Sequence, residues 1–172
     1  GTNEDQVNLA VELLLPLANS ADNMFAVLGT SGHIGPMGDG DRRGAKELGV
    51  KTENVRFELE FMIDGRLINA RHHTNASRVS WTRGDSLRRL MKDGTKSPDV
   101  LLRGHVHLAA REYLAELDMW GATSGGWKVG DEWTARMNKP IFHIGGMWYD
   151  CKEHKIDLIT YKPKREILAI DG

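Results

Sequence analysis

The sequence predicts a layered α/β fold with a mixed sheet, and three observations support this. In the first half, short apolar runs alternate with stretches whose apolar residues recur at helical spacing. In the second half, apolar runs follow one another with turn residues between them, as in strands paired as hairpins. The length of 172 residues suits one domain, and the apolar fraction of 40% is ordinary for a globular chain. We therefore expect residues 1–172 to form a single domain whose sheet combines parallel and antiparallel strands.

The first predicted element is a helix that begins near Asn3. Asn3 followed by Gln6 fits an N-cap with a capping box. Apolar residues then recur at helical spacing: Val7, Ala10, Val11 and Leu14. Pro16 is expected to end or kink this helix, because proline lacks the amide donor and crowds the preceding turn. A short apolar strand, Met24 to Leu28, follows.

A second helix is predicted to begin at Asp39 or Asp41 and to run through Leu48. Aspartate is a preferred N-cap residue, so either position can start the helix. Gly49 follows the helix, and glycine commonly supplies the left-handed residue that ends one.

A β-hairpin is predicted around Asp64-Gly65, a dipeptide that favours a two-residue turn. The first arm, Val55 to Phe61, has alternating apolar residues expected on one face: Val55, Phe57, Leu59 and Phe61. The second arm, Leu67 to Ala70, runs directly into His72-His73.

The rest of the chain is predicted to contain one helix and four strands. The helix spans about Asp85 to Lys92. The strands are Val100 to Leu102, Tyr113 to Met119, Ile141 to Met147 and Ile156 to Tyr161.

Composition excludes several classes of protein. The formal net charge of −1 provides no overall field that would steer the chain to nucleic acid or to a membrane. The only cysteine, Cys151, excludes an internal disulfide and a cysteine-based zinc site, and it fits a reducing compartment. No apolar run approaches the roughly 20 residues that span a bilayer, and no signal peptide is recognisable. We therefore expect a cytoplasmic protein.

Histidines that follow predicted strands are the candidate functional residues. His33 follows the first strand, His72 and His73 follow the hairpin, and His105 and His107 follow the strand at 100–102. In layered α/β folds, catalytic and ligand-binding groups gather beyond the carboxyl ends of strands. On a strand, His105 and His107 would share one face, and a glycine-led turn after the strand could also aim both rings at one point. Imidazole binds zinc, manganese, iron or nickel, so these positions indicate a metal site.

Other local chemistries fit the sequence less well. His143 and His154 lie within or between late strands and are interpreted as structural or solvated. Cys151 lies in the charged turn "YDCKEHK", whereas a nucleophilic cysteine needs a partner histidine in a suitable loop. The segment Asp39-Gly40-Asp41 starts like a calcium loop, but the next ligand positions are arginine and glycine. His72-His73-Thr74 contains one HxT, the motif that two-histidine phosphoesterases use in pairs, and no second copy exists.

Three segments together resemble the later motifs of the calcineurin-like metallophosphoesterases. The family has five ordered motifs: DxH, GDxxD, GNH, a lone histidine and GHxH. "GHVH" at 104–107 matches the fifth, "ARHHTN" at 70–75 resembles the fourth, and "AVLGTSGH" at 26–33 resembles the third. The order is that of the family, and the match covers most of the chain. The resemblance implies an αββα sandwich with mixed sheets, closest to the stand-alone versions of phages and bacteria.

The resemblance also implies a role for each histidine. His72 and His105 would bind one metal ion and His107 the other, with His73 as the alternative to His72. His33 would act as the catalytic proton donor to the leaving oxygen. The implied cofactor is a pair of divalent ions (Mn, Zn, Fe or Ni) that clamp a phosphate mono- or diester and activate a water. Nucleic acid is one substrate class within the family, although the charge of this chain does not favour it, and no membrane partner is implied.

The sequence departs from the family at two places. Thr30 or Ser31 stands where the family has the asparagine of GNH, and DxH and GDxxD are absent. Those two motifs supply the carboxylates of the metal centre, and hard cations prefer oxygen ligands. We therefore expect this chain to be the C-terminal part of a metallophosphoesterase domain that lacks its first strands. Two alternatives are a site completed by another polypeptide or a second copy, and a non-catalytic metal-binding or structural remnant of the fold.

Overall fold

The computed structural model describes residues 3–29, 39–72, 85–93, 98–126 and 144–161. These residues belong to two compact units. The first comprises residues 1–61 and 69–73, and the second comprises residues 62–68 and 74–172. The single domain expected over 1–172 stays a prediction.

The first unit opens with a long helix. Helix α1 spans Asn3–Ser20 and contains Pro16, so Pro16 does not end the helix, and the alternative of a kink stays a prediction. Residues 12–17 of α1 are exposed, and water can therefore satisfy the carbonyl that proline leaves without a partner. Val7 packs one face of α1 against helix α2 (Asp39–Glu47), where the Cβ positions of Gly40 and Gly44 lie 3.5 and 3.4 Å from its methyl groups.

The end of α2 follows from its sequence. Gly49 has a φ of 78°. The amide of Gly49 donates to the carbonyl of Lys46, and the amide of Val50 donates to the carbonyl of Ala45, as in a Schellman motif. The predicted helix end is therefore confirmed. Val50 and Ala45 join a small core that also contains Leu28 and Val55.

Two short strands complete this part of the first unit. Strand β1 (Ala26–Val27) pairs in parallel with β2 (Val55–Arg56), which a short 3-10 helix at Thr52–Asn54 precedes. A bend at Phe57 separates β2 from β3 (Glu58–Ile63). Phe57 is 64% exposed while Leu59 is buried. The expectation of one uninterrupted apolar face over residues 55–61 is therefore wrong at Phe57.

Strands β3 and β4 form the predicted hairpin. Strand β4 spans Arg66–Arg71. The turn residues Asp64 and Gly65 have φ values of 47° and 79°, as a type I′ turn requires. The hairpin contributes residues to both units. Its strands open a five-stranded sheet of order β3-β4-β5-β7-β6.

The second unit supplies the other strands. Its elements are α3 (Asp85–Asp93), β5 (Val100–Arg103), β6 (Ala110–Leu114), a 3-10 helix (Ala115–Leu117), β7 (Met119–Thr123), β8 (Ile144–Asp150) and β9 (Lys155–Tyr161). The single strand predicted over 113–119 is wrong, because the 3-10 helix and Asp118, with a φ of 47°, divide it. The final strand is confirmed. The strand predicted over 141–147 is confirmed over 144–147 and continues to Asp150, and residues 141–143 lie outside the described residues.

Pairing in the second unit gives the mixed sheet that the sequence predicts. Strand β5 runs parallel to β7, whereas β6 and β7 are antiparallel. Helix α3 covers this sheet with Leu87 and Met91, both fully buried, against a core of Leu101, Leu114 and Met119. Gly121 of β7 allows the close approach, since a Cβ there would lie 2.7 Å from the sulfur of Met91. None of the helices described is long and apolar enough to cross a membrane.

Candidate metal site after strand β5

Strand β5 delivers two of the candidate histidines to one turn. Its residues Val100 and Leu101 are buried, and the strand lies between β4 and β7 in the sheet. It ends at Arg103, so Gly104 starts a turn before either histidine is reached. Of the two arrangements that the sequence left open, the glycine-led turn is the one observed.

The turn holds both histidines in left-handed backbone. His105 has a φ of 71° and His107 a φ of 55°. The amide of Val106 donates to the carbonyl of Gly104 at 2.9 Å, which makes His105 the central residue of a γ-turn with positive φ, a rare and strained form. Such backbone costs about 1–3 kcal/mol per residue and persists only where the surrounding structure imposes it.

A neighbouring segment, Thr123–Gly126, holds this turn in place. The amide of Ser124 donates to the carbonyl of Arg103 at 3.0 Å. The hydroxyl of Thr123 donates to the carbonyl of Leu108 at 2.7 Å. These two hydrogen bonds fix the chain before and after the histidines, which is how the strained φ values are maintained.

Within that segment, Gly126 lies against the ring of His107. A Cβ at position 126 would lie 2.9 Å from Cγ, 3.2 Å from Cβ and 3.2 Å from Nδ1 of His107. Any side chain there would collide with the part of the ring nearest the backbone. Gly126 was not among the residues that the sequence pattern indicated, although the pair Gly125-Gly126 is of the residue type that permits close backbone approach.

The other candidate histidines have different outcomes. His72 directly follows β4, as predicted, is half-buried, and belongs to the first unit. His33 and His73 lie outside the described residues, as do Thr30 and Ser31. The structure therefore places His105 and His107 in one turn, and the roles of all five histidines stay predictions.

The described donors fit a divalent ion only in part. His105 and His107 offer two imidazoles, which suit zinc and related transition metals. A zinc site takes three or four protein ligands. In the described parts of the chain, no group of three or more histidine, cysteine, aspartate or glutamate side chains is placed to hold a metal. Further ligands have to come from elsewhere if the turn binds a metal.

The carboxylate of Asp41, a predicted helix N-cap, lies near the end of β1. The Oδ2 atom of Asp41 accepts a hydrogen bond of 2.7 Å from the amide of Gly29. Gly29 directly precedes the segment that carries His33. Asp41 therefore fixes the point where the first strand passes into that segment.

A cluster of polar side chains around Asp118 lies at the amino ends of β5 and β7. Asp118 accepts hydrogen bonds from the Tyr113 hydroxyl at 2.8 Å and from Arg66 at 3.0 Å. These two contacts lower the pKa of Asp118, and the bond to Asp118 raises the pKa of Tyr113. Nε2 of His154 lies 2.9 Å from the carbonyl oxygen of Asp118, and Nδ1 lies 2.7 Å from the Tyr149 hydroxyl. This cluster connects the turn between β8 and β9 to the start of β7.

Cys151 lies in that same turn and is half-buried. Burial raises the pKa of its thiol, and the nearby Asp64 and Asp150 add to the effect. A raised pKa keeps the thiol protonated near neutral pH, and the thiolate is the nucleophilic form. The geometry therefore gives no support to a catalytic cysteine.

Comparison with known proteins identifies the fold. No protein-family model matches the chain, and no curated protein matches it. Among solved structures, a novel archaeal phosphodiesterase superposes with a TM-score of 0.54 at 15% identity, over 89% of this chain and 76% of that one. Zinc-complexed Vps29 from Entamoeba histolytica gives 0.41 at 9% identity, over 71% and 76% of the two chains. A single-mutant Vps29 from the same organism gives 0.44 at 11%, over 88% and 89%.

These matches bear on the fold alone. At 15% identity, the likeness to the archaeal phosphodiesterase shows a shared architecture and leaves activity open. The two Vps29 scores lie below 0.5, a level at which superposition does not establish a shared fold. The predicted α/β fold with a mixed sheet is confirmed, and the chain shares it with the archaeal phosphodiesterase. The assignment to a C-terminal portion and to a phage-type protein remains a prediction.

Proposed function

We propose that this chain carries the histidine side of a metal-dependent phosphoesterase that hydrolyses phosphate mono- or diesters. The observation that supports it best is the turn after β5, where His105 and His107 are held in left-handed backbone at the carboxyl end of a central strand. Strain of this kind concentrates at functional sites, because the surrounding structure must offset its cost. The shared fold with an archaeal phosphodiesterase supports the same activity.

In this proposal the imidazoles of His105 and His107 bind metal in their neutral form, together with His72 or, in its place, His73. The cofactor is a pair of divalent ions, Mn, Zn, Fe or Ni, which would activate a water and neutralise the phosphate. His33 delivers a proton to the leaving oxygen, a role that suits an imidazole because its pKa lies near neutrality. The fixed turn preorganises the two imidazoles, so little ordering is needed when metal binds.

The carboxylates of the family motifs DxH and GDxxD have no counterpart in this sequence. We propose that they come from a polypeptide segment outside it or from a second copy of the chain. The substrate in either case is a phosphate mono- or diester. The net charge of −1 gives no support to a nucleic-acid substrate.

A second candidate function is a non-catalytic metal-binding or structural remnant of the fold. The specific observation that favours it is the shortage of ligands, since no group of three donors is placed for a metal in residues 3–29, 39–72, 85–93, 98–126 and 144–161. Two imidazoles alone would bind zinc weakly and would leave no carboxylate to organise a second ion.

Hydrolysis of bis-p-nitrophenyl phosphate with added Mn²⁺ separates these functions. If a second copy of the chain completes the site, we expect the wild-type chain to hydrolyse the ester, and we expect His105→Ala or a chelator to abolish the reaction. If the carboxylates lie in a segment outside this sequence, we expect Mn²⁺ binding in calorimetry that His105→Ala weakens, with turnover only when that segment is supplied, and a completed site without turnover would favour the remnant. A folded chain with neither binding nor turnover would overturn the phosphoesterase and leave only a structural remnant.

A further inference from the structure

We infer that Gly126 is a positioning residue for the proposed metal site, because its missing side chain sets where the ring of His107 can lie. The inference rests on the proposed function in so far as His107 binds metal. It assigns a role to a residue outside the histidine motifs and beyond the hydrogen bonds that hold the turn.

A side chain at position 126 would collide with the ring of His107. A Cβ on Gly126 would lie 2.9 Å from Cγ of His107, whereas carbon atoms in contact prefer about 3.5–4.0 Å. A methyl group at position 126 would therefore displace the ring by roughly 0.5 Å. The affected atoms include Cβ of His107, so the ring cannot escape by rotation about its outer bond alone.

Hydrogen bonds fix the backbone at both Gly126 and His107. Gly126 accepts a hydrogen bond from the amide of Gly145 at 3.3 Å and forms a bridge to Ile144. On the other side, His107 lies between the hydrogen bonds made by Ser124 and Thr123. Neither side can retreat without breaking one of these contacts, so the displacement falls on the ring.

Ring displacement matters more for metal binding than for folding. Metal–ligand distances tolerate about 0.2 Å of deviation, less than half of the expected shift. A half-buried ring that moves by that amount can still pack. The effect of an added methyl group is therefore expected to appear in metal affinity before it appears in stability.

The same contact distinguishes the two ring nitrogens. Nδ1 is among the three atoms nearest to the Cβ position of Gly126, and Nε2 is farther away. Gly126 thus covers the Nδ1 edge of the ring, and Nε2 is the nitrogen that we expect to meet the metal. The orientation of a metal-binding imidazole is commonly set in this way by its neighbours.

The chain offers a matched control for this test. Gly146 lies in β8 of the same unit, and a Cβ there would meet no atom within 4 Å. Gly126→Ala and Gly146→Ala therefore make the same chemical change, one against the ring and one into open space. We expect Gly126→Ala to weaken Zn²⁺ binding by about 10–100-fold in calorimetry, and Gly146→Ala to stay within about twofold of wild type.

Imidazole NMR of the metal-free proteins supplies a second readout. We expect the His107 resonances to move in Gly126→Ala, while those of His154, which lies at the other end of β7, stay in place. Added Zn²⁺ should perturb Nε2 of His107 in the wild type. Equal Zn²⁺ affinities of the two alanine variants, or unmoved His107 signals, would overturn the inference.

The outcomes keep this inference apart from the proposed function. A wild type that binds no Zn²⁺ contradicts the metal site, while the His107 shifts still test whether Gly126 positions the ring. If Gly126→Ala fails to fold, the contact is tested in the wild type. The α protons of Gly126 should then show a ring-current shift that His107→Ala removes. Absence of that shift would also overturn the inference.

Discussion

The second unit places histidines in left-handed backbone at both ends of its parallel strands, and it stabilises them in different ways. His105 and His107 follow the carboxyl end of β5, with φ values of 71° and 55°, and His154 lies beside the amino end of β7, with a φ of 46°. His154 ends the turn between β8 and β9, where one left-handed residue is an ordinary way to close a hairpin. His105 is the centre of a strained γ-turn, which no hairpin requires.

The two regions also differ in the contacts that hold their histidines. Both ring nitrogens of His154 are engaged, one by Tyr149 and one by Asp118, and its carbonyl accepts the indole N–H of Trp120 at 2.6 Å. Those bonds make the ring a connector between strands. The segment that carries His105 and His107 is held through its backbone and by packing of a ring on Gly126. A positive φ at histidine therefore indicates a functional site only when the turn itself does not explain it.

The largest expected effect tests whether the two ends belong to one cooperative structure. Leu87 is fully buried between α3 and the sheet that joins both ends. Leu87→Ala should lower the free energy of unfolding by about 2–5 kcal/mol, through lost burial and the cavity left behind. Chemical denaturation followed by circular dichroism measures this.

Hydrogen exchange shows which amides lose protection when Leu87→Ala lowers the free energy of unfolding. Amides near His107 and amides near His154 should lose protection together in Leu87→Ala. Loss at one end only would mean that the two ends unfold separately, and the comparison between them would then be one between independent parts. Arg88→Ala, an exposed neighbour on the same helix, is the control and should change little.

A smaller effect separates a structural histidine from a metal-binding one. His154→Ala removes the partner of a part-buried Tyr149 hydroxyl and should cost about 1–3 kcal/mol of stability. It should leave Zn²⁺ affinity at wild-type level. His107→Ala should instead weaken Zn²⁺ binding and lower the stability less. Thermal melts and calorimetry on the two variants measure both quantities. Equal loss of Zn²⁺ affinity in both would remove the functional distinction between the ends.

The parts of the fold that sequence predicted are those set by local chemistry. The turn at Asp64-Gly65 requires two positive φ values, and Gly49 requires one, so the residue types alone identified both. Helix α1 continues through Pro16 within an exposed stretch, residues 12–17, where water can bond to the carbonyl that proline leaves without a partner. The apolar pattern does not contain that exposure. The break between β6 and β7 depends on Asp118, which Tyr113 and Arg66 hold from other elements.

In the candidate site, too, the sequence predicted only the residues that local patterns mark. The GHVH motif and the strand before it located His105 and His107, since an apolar run that ends at glycine marks a strand end. Gly126 could not be found in this way. Its contact with His107 depends on the register of β5 against β7, in which Arg103 lies opposite Thr123. Sequence alone does not specify a pairing between strands that are separated by a further strand and a turn.

The smallest expected effect concerns pH and should be confined to the His154 end. The hydrogen bond from Tyr113, followed by that from Arg66, lowers the pKa of Asp118 in the folded chain. A lowered carboxyl pKa stabilises the fold above the unfolded value of about 3.9, and this contribution is lost as the pH falls through the folded value. Asp118→Asn should therefore flatten the fall of the melting temperature below about pH 4. Since Asp118 is exposed, added salt should shrink the difference between Asp118→Asn and wild type.

Asp157, whose pKa is lowered by Lys155 and then by Arg111, provides the comparison. Asp157→Asn should also flatten the fall of the melting temperature at acid pH, without disturbing His154. An acid limb that stays unchanged in Asp118→Asn would show that the cluster holds the turn by geometry alone, and the two ends would then differ in packing and not in charge.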